Sequence, residues 1–165
     1  AGKGVKPLKI KSPKIQKPIN KPKPIAKKFL EDEKKALLDT LSDDFITSEN
    51  ESGEELRYLK KGHSPDILNK LKKGYWVTQK SIDLHGLISE EAKAYIVNFI
   101  GECKKKKIRC IKIIHGKGLR SFNKEPVLRN KVKNWLAQKD EVIAYIEAPR
   151  HDGGSGAVLV LLKEY

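Results

Sequence analysis

From residue 80 onward, apolar and polar positions fall into short segments whose period changes along the chain. "SIDLH" (81–85) alternates with a period of two and reads as a strand. Ser89-Glu90-Glu91 then opens a helix, with a serine cap and two acids at the positive end of its dipole. Ala92, Tyr95, Ile96, Phe99, Ile100 and Cys103 recur at spacings of three and four, one buried helical face. The lysines 104–107 suit the negative helix end. "IRCIKII" (108–114) is a β-branched strand, and "EPVLRNKVKNWLAQ" (125–138) a second helix with Leu128, Val132, Trp135 and Leu136 inward. "EVIAYIEA" (141–148) and "AVLVLLK" (157–163) are the last two strands. The order β-α-β-α-β-β predicts an α/β two-layer sandwich with a mixed four-stranded sheet and two helices over residues 80–165.

The first 79 residues lack this regularity. Residues 57–79 contain a short helical stretch behind Ser64-Pro65, with the serine as cap and the proline as first helical residue. Residues 29–56 begin with an acidic helix (29–46) on which Leu30, Leu37, Leu38, Leu41 and Phe45 approximate one stripe. Such a stripe serves either packing on the domain or docking to a partner protein; the acidic "TSENESGEE" behind it resembles a linker and favours docking. Residues 1–28 hold five of the eight prolines and ten lysines without an acid, which predicts a disordered or extended basic tail.

Charge sharpens this picture. The chain of 165 residues carries +14, and residues 57–165 alone have 23 basic against 11 acidic side chains. A basic domain suits a polyanion: nucleic acid or an anionic membrane surface. The two cysteines, Cys103 and Cys110, alternate with apolar neighbours and read as buried, reduced thiols. No apolar run approaches the ~18 residues of a membrane span, and the lysine-rich start does not suit a signal peptide, so a cytoplasmic protein is expected.

Topology then places the candidate chemistry. Right-handed β-α-β crossovers make the first three strands parallel, and the last strand starts at the edge where they end. Ligands bind at that edge in open α/β sheets. Three loops, 83–88, 115–124 and 149–156, converge there and carry three of the four histidines: His85, His115 and His151. With them come Asp83 and Gly86 from the first loop, and Gly116, Lys117, Gly118 and Arg120 from the second. Arg150, Gly153, Gly154 and Gly156 come from the third. Acid/base groups, cations and glycine backbone that admits an anion closely suit phosphodiester chemistry or phosphate binding. Taken singly, each strand-end His-Gly is only a turn. "HGKG" lacks the spacing of a nucleotide-binding P-loop, Ser155 lacks a nucleophile elbow, and no HExxH spacing supports zinc on the histidines and Asp83.

Asp83-Leu84-His85-Gly86, His115-Gly116-Lys117-Gly118 and Gly153-Gly154-Ser155-Gly156-Ala157, in this order on an αβ frame, resemble the Smr (small MutS-related) domain over residues 80–163. The resemblance implies a fold like the C-terminal domain of the third bacterial translation initiation factor. It also implies nucleic-acid binding, with endonuclease activity in many members. Members fused to MutS paralogues are linked to DNA nicking. Stand-alone bacterial members with an N-terminal extension, and eukaryotic relatives, are linked to mRNA cleavage on collided ribosomes. The layout is similar to the second group, which favours RNA over DNA and a ribosome contact through the extension. On RNA, His85 would take the 2′-hydroxyl proton, held by Asp83, while His115 or a cation supports the leaving oxygen. The Gly116 and Gly118 amides, Lys117 and Arg150 would stabilise the phosphorane. A DNA substrate would instead call for a divalent ion, Mg or Mn, near Asp83 to activate water. A non-catalytic module that clamps phosphates with the same loops is the alternative.

Overall fold

The computed structural model describes residues 27–43, 56–119 and 126–165. The basic tail up to residue 26, Phe45, the linker 47–55 and Arg120 lie outside the described residues. The elements are α1 (Lys27–Asp39), β1 (Arg57–Leu59), α2 (Asp66–Lys72), β2 (Lys80–Asp83), α3 (Ser89–Lys105), β3 (Cys110–Ile114), α4 (Val127–Gln138), β4 (Val142–Glu147) and β5 (Ala157–Leu162). They form one mixed α/β sheet of order β1-β4-β5-β3-β2.

β2 and β3 are parallel, and β5 runs antiparallel to both β3 and β4. β2, β3 and β4 therefore point the same way, as expected, with β5 inserted between β3 and β4. The fifth strand is β1, which pairs antiparallel with β4 through Arg57↔Ile146 and Leu59↔Ala144. Three residues are too few for a periodic signal, so the four-stranded expectation missed it.

Alternation along the strands sorts two cores. Ile111 and Ile113 of β3 and Val158, Val160 and Leu162 of β5 pack with Ile96 and Ile100 of α3 and Val132 and Trp135 of α4. Cys110, Leu159 and Leu161 face the other way, with Ile143 and Ile146, against Leu71 of α2 and Trp76. The second face is thus covered around α2, where the two-layer expectation left it bare. A register shift between Val142 and Ala144 breaks the alternation of β4, so that the neighbours Ile143 and Ala144 both join the second core. Both cysteines are free and buried, and burial pushes both thiols up.

Some details depart from expectation. Ile88, not Ser89, holds the cap position of α3, without a side-chain cap; Glu90 and Glu91 do occupy the first turn and Lys104 and Lys105 the last. Tyr95 is exposed rather than part of the buried face. Pro65 takes the cap position of α2, and the Asp66 amide donates to Ser64 Oγ at 3.3 Å.

The chain after α1 packs on the domain. Leu41, 4% exposed, enters the core between the helices. The Ser42 amide donates to Gln138 Oε1, and Gln138 Nε2 donates back to the Ser42 carbonyl. Asp43 accepts from Trp135 Nε1 at 2.8 Å and Lys131 Nζ at 3.0 Å, and these bonds hold its carboxyl below the usual range. The body of α1 remains exposed, Leu37 included. Leu41→Ala should therefore lower the unfolding free energy by about 2–4 kcal/mol, while Leu37→Ala should change it by less than about 0.5 kcal/mol. Urea titration followed by Trp fluorescence separates the two; equal effects would mean that residues 41–43 are not anchored.

Candidate functional site

The sheet edge where β2, β3 and β4 end is knitted by backbone. The Leu84 amide donates to the Ile114 carbonyl at 2.7 Å, tying the first loop to the second. The amides of His115 and Gly116 both donate to the Gly156 carbonyl at 3.0 Å, tying the second to the third. Gly116 has φ +81°, and a Cβ there would stand 3.4 Å from His85 Cβ. Gly153 has φ +121°, and a Cβ there would come within 2.7 Å of Ala157 Cβ. Conformation calls for glycine at both positions, and at Gly153 room does as well.

Asp83 and His85 form a pair on the open rim. Asp83 Oδ1 accepts from the His85 amide at 3.0 Å and lies 2.6 Å from His85 Nδ1. Burial raises the Asp83 carboxyl, but the backbone and imidazole hydrogen bonds of His85 outweigh it and hold the group below its usual value. An ionised carboxylate only accepts, so Nδ1 carries a proton, and in the neutral form of the ring the lone pair is on Nε2. The His85 side chain is 71% exposed, so that lone pair lies within reach of an external ligand.

His115 has the opposite environment. It is 3% exposed, and its Nδ1–H donates to the Gly116 carbonyl at 2.8 Å. Burial pushes the imidazole pKa down; the Gly116 carbonyl opposes this and the nearby Arg129 adds to it. The ring is neutral near pH 7. Behind it Arg129 pairs with Glu147 at 2.9 Å, each four-fifths buried. Among the described residues, His115 Nε2 and Arg129 Nε are the buried side-chain polar atoms without a partner. Sequence reasoning passed over Arg129 and Glu147. The signal was there: Arg129 falls three and seven residues before Val132 and Leu136, a charge on the inward face of α4.

The remaining expected residues separate into rim and periphery. Gly86, Lys117, Gly118, Gly153 and Gly156 line an open cleft of about 950 Å³ together with His85, His115 and Arg129. Its other wall is aliphatic: Leu87, Ile88, Leu119, Val127 and Leu128. Arg150 and His151 are exposed and do not line the cleft, so the third histidine is not brought to the pair. Gly154 is engaged in the turn, its amide donating to the Pro149 carbonyl. Asp152 is held by Lys112 Nζ at 2.5 Å. The Gly116 amide, expected to face an anion, is committed to Gly156, whereas the Gly86, Lys117 and Gly118 amides have no hydrogen-bond partner among the described residues. No group of three or more His, Cys, Asp or Glu side chains converges as a metal site among them. No helix there is long and apolar enough to cross a membrane.

Comparison with known proteins agrees with this geometry. The Smr domain family model matches residues 82–163. SmrB of Aliivibrio salmonicida, a ribosome rescue factor, is 38% identical over 121 residues, 73% of this chain. That match spans 64% of the relative's own length. SmrB of Serratia proteamaculans, also a ribosome rescue factor, is 31% identical over 148 residues, 90% of this chain and 80% of the relative. Among solved structures, YdaL of Escherichia coli, a stand-alone small MutS-related protein, superposes with a TM-score of 0.60 at 30% identity, covering 74% of this chain and 96% of YdaL. Matches of this extent, on a chain whose three loops carry the Asp-Leu-His-Gly, His-Gly-Lys-Gly and Gly-Gly-Ser-Gly motifs, place it in the Smr domain family.

Proposed function

We propose that this chain is an endonuclease that cleaves RNA by attack of the 2′-hydroxyl, with His85 as the proton-handling residue. The observation that carries this reading is the Asp83–His85 pair, ordered by two hydrogen bonds yet open at the rim of the cleft. Asp83 fixes the tautomer, so His85 Nε2 takes the 2′-hydroxyl proton. The 2′-oxygen attacks phosphorus, the P–O5′ bond breaks, and the 5′-oxygen leaves with a proton from Lys117 or water. A 2′,3′-cyclic phosphate remains. The exposed Lys117, with the amides of Gly86 and Gly118, faces the charge that develops on the phosphorane.

His115 has a supporting part in this scheme. A buried neutral imidazole bonded to its neighbour's carbonyl orients the Gly116 turn on which His85 rests. Arg150 and His151, outside the cleft, contact phosphates further along the strand. The Aliivibrio and Serratia relatives are named ribosome rescue factors; joined to the RNA-cleaving reading, that makes RNA on ribosomes the substrate of this proposal and the residues before β1 its recruiting segment.

Three outcomes test this. His85→Ala should lower the cleavage rate ~10²–10⁴-fold, and Asp83→Asn should lower it in the same direction by releasing the tautomer. Both side chains are open to solvent, so unfolding midpoints should stay near wild type. End mapping should find 2′,3′-cyclic phosphate with EDTA present; a 5′-phosphate product that requires Mg or Mn would replace this route with metal-activated water.

Folded His115 titrates below its ordinary 6.5, so the unfolded chain binds the proton more readily. That contribution to stability is complete above pH ~6.5 and is lost as pH falls through the folded value. His115→Gln should flatten the melting-temperature profile between pH 6.5 and 5, and an unchanged profile would rule out a buried neutral imidazole. Removing residues 1–26 should spare cleavage of free RNA and abolish cleavage in ribosome-bound complexes; retention of both would exclude this segment from recruitment.

A further inference from the structure

Only eight large apolar side chains are exposed among the described residues, and three of them, Ile88 (63%), Leu119 (72%) and Val127 (41%), line the one cleft beside His85. That concentration is uneven. Isolated exposed aliphatics are ordinary on a soluble domain, but a cluster facing a common space marks a binding surface. The cleft is also polarised. One side presents His85, Lys117 and the glycine turns, which suit an anion; the other presents Ile88, Leu119, Val127 and the half-buried Leu87 and Leu128. His115 and Arg129, also in its lining, hold an acceptor nitrogen and a donor N–H that find no partner within the described protein.

We propose that this cleft seats one unstacked nucleobase of the substrate strand, that of a nucleotide flanking the scissile phosphate. The inference rests on the RNA-cleaving reading of the Asp83–His85 pair and extends it to the base. A nucleotide has the polarity of the cleft: a phosphate at one end, and at the other a flat ring whose faces are apolar. Its size, about 950 Å³, leaves ample room for one base with its sugar and phosphate. Aliphatic walls cover the faces of any base and supply no donors or acceptors of their own, so they grip a base without distinguishing one from another. A base inside a duplex reaches such a cleft only by leaving its stack, at a free-energy cost that an already single-stranded nucleotide largely avoids. The substrate class is therefore single-stranded RNA, gripped through one base next to the cut.

The test separates binding from turnover. A short single-stranded RNA with one 2′-O-methyl group at the cleavage position cannot undergo the attack, so fluorescence anisotropy reads binding alone. An abasic residue placed in turn on each side of that position should raise Kd about tenfold at one of the two sites. Ile88→Gln and Val127→Gln should weaken binding of the intact strand and erase the difference between intact and abasic strands. Val77→Gln makes the same exchange on an exposed valine outside the cleft and should change neither. Equal affinity for intact and abasic strands at both sites overturns the proposal, as does a base dependence that survives in Ile88→Gln and Val127→Gln. A base-dependent Kd without cleavage of the unmodified RNA would remove the nuclease reading and leave the base cleft standing. Cleavage without base dependence would do the reverse.

Discussion

One carbonyl holds the site together. Gly156 O accepts the amides of His115 and Gly116, and through them the start of β5 is fastened to the end of β3. Two donors on one acceptor fix both distance and orientation of the facing loops, which a single bond would leave free to pivot. Because β5 lies between β3 and β4, this clamp sits at the middle of the edge rather than at its margin. The cleft wall formed by Gly116, Lys117 and Gly153 is positioned from it, and Gly116 in turn packs against His85.

The two His-Gly motifs look alike in the chain and differ in the fold for a simple reason of parity. In β2 and its extension, Ile82 and Leu84 face inward, so Asp83 and His85 face out together. In β3, Ile111 and Ile113 face inward, and His115 continues that same set. A period of two therefore decides which imidazole meets solvent and which is buried. Burial then keeps His115 neutral and out of reach, while the exposed His85 is open to an external ligand.

Much of this was legible from residue types alone. The strand and helix order over 80–165, the convergence of three loops and the Asp83–His85 contact all follow from periodicity and right-handed connection. What was not legible depends on distance in sequence. β1 is defined by its partner in β4 rather than by its own three residues. Asp43 gains its place from Trp135 and Lys131, some ninety positions away. The convergence of loops said nothing about depth, so His151 was grouped with His85 although it stands outside the cleft. Arg129 was hidden by its helix, where a charge on an inward face has meaning only once the facing Glu147 is known.

β1 has a bearing on how this domain can be handled apart from its first 79 residues. The Smr match begins at residue 82, yet the outer side of β4 is paired by Arg57–Leu59, and the Leu56 carbonyl and Lys60 amide prolong that ladder. A fragment cut at the family boundary would leave "VIAYIE" as a bare sheet margin, with Ile143 and Ile146 stripped of their cover from α2. Five apolar or weakly polar residues ahead of Glu147, with open amides and carbonyls, form a template for edge-to-edge self-association. The segment ahead of the three motifs thus covers a strand edge and a sheet face that the domain would otherwise present to solvent, whatever it binds or cuts.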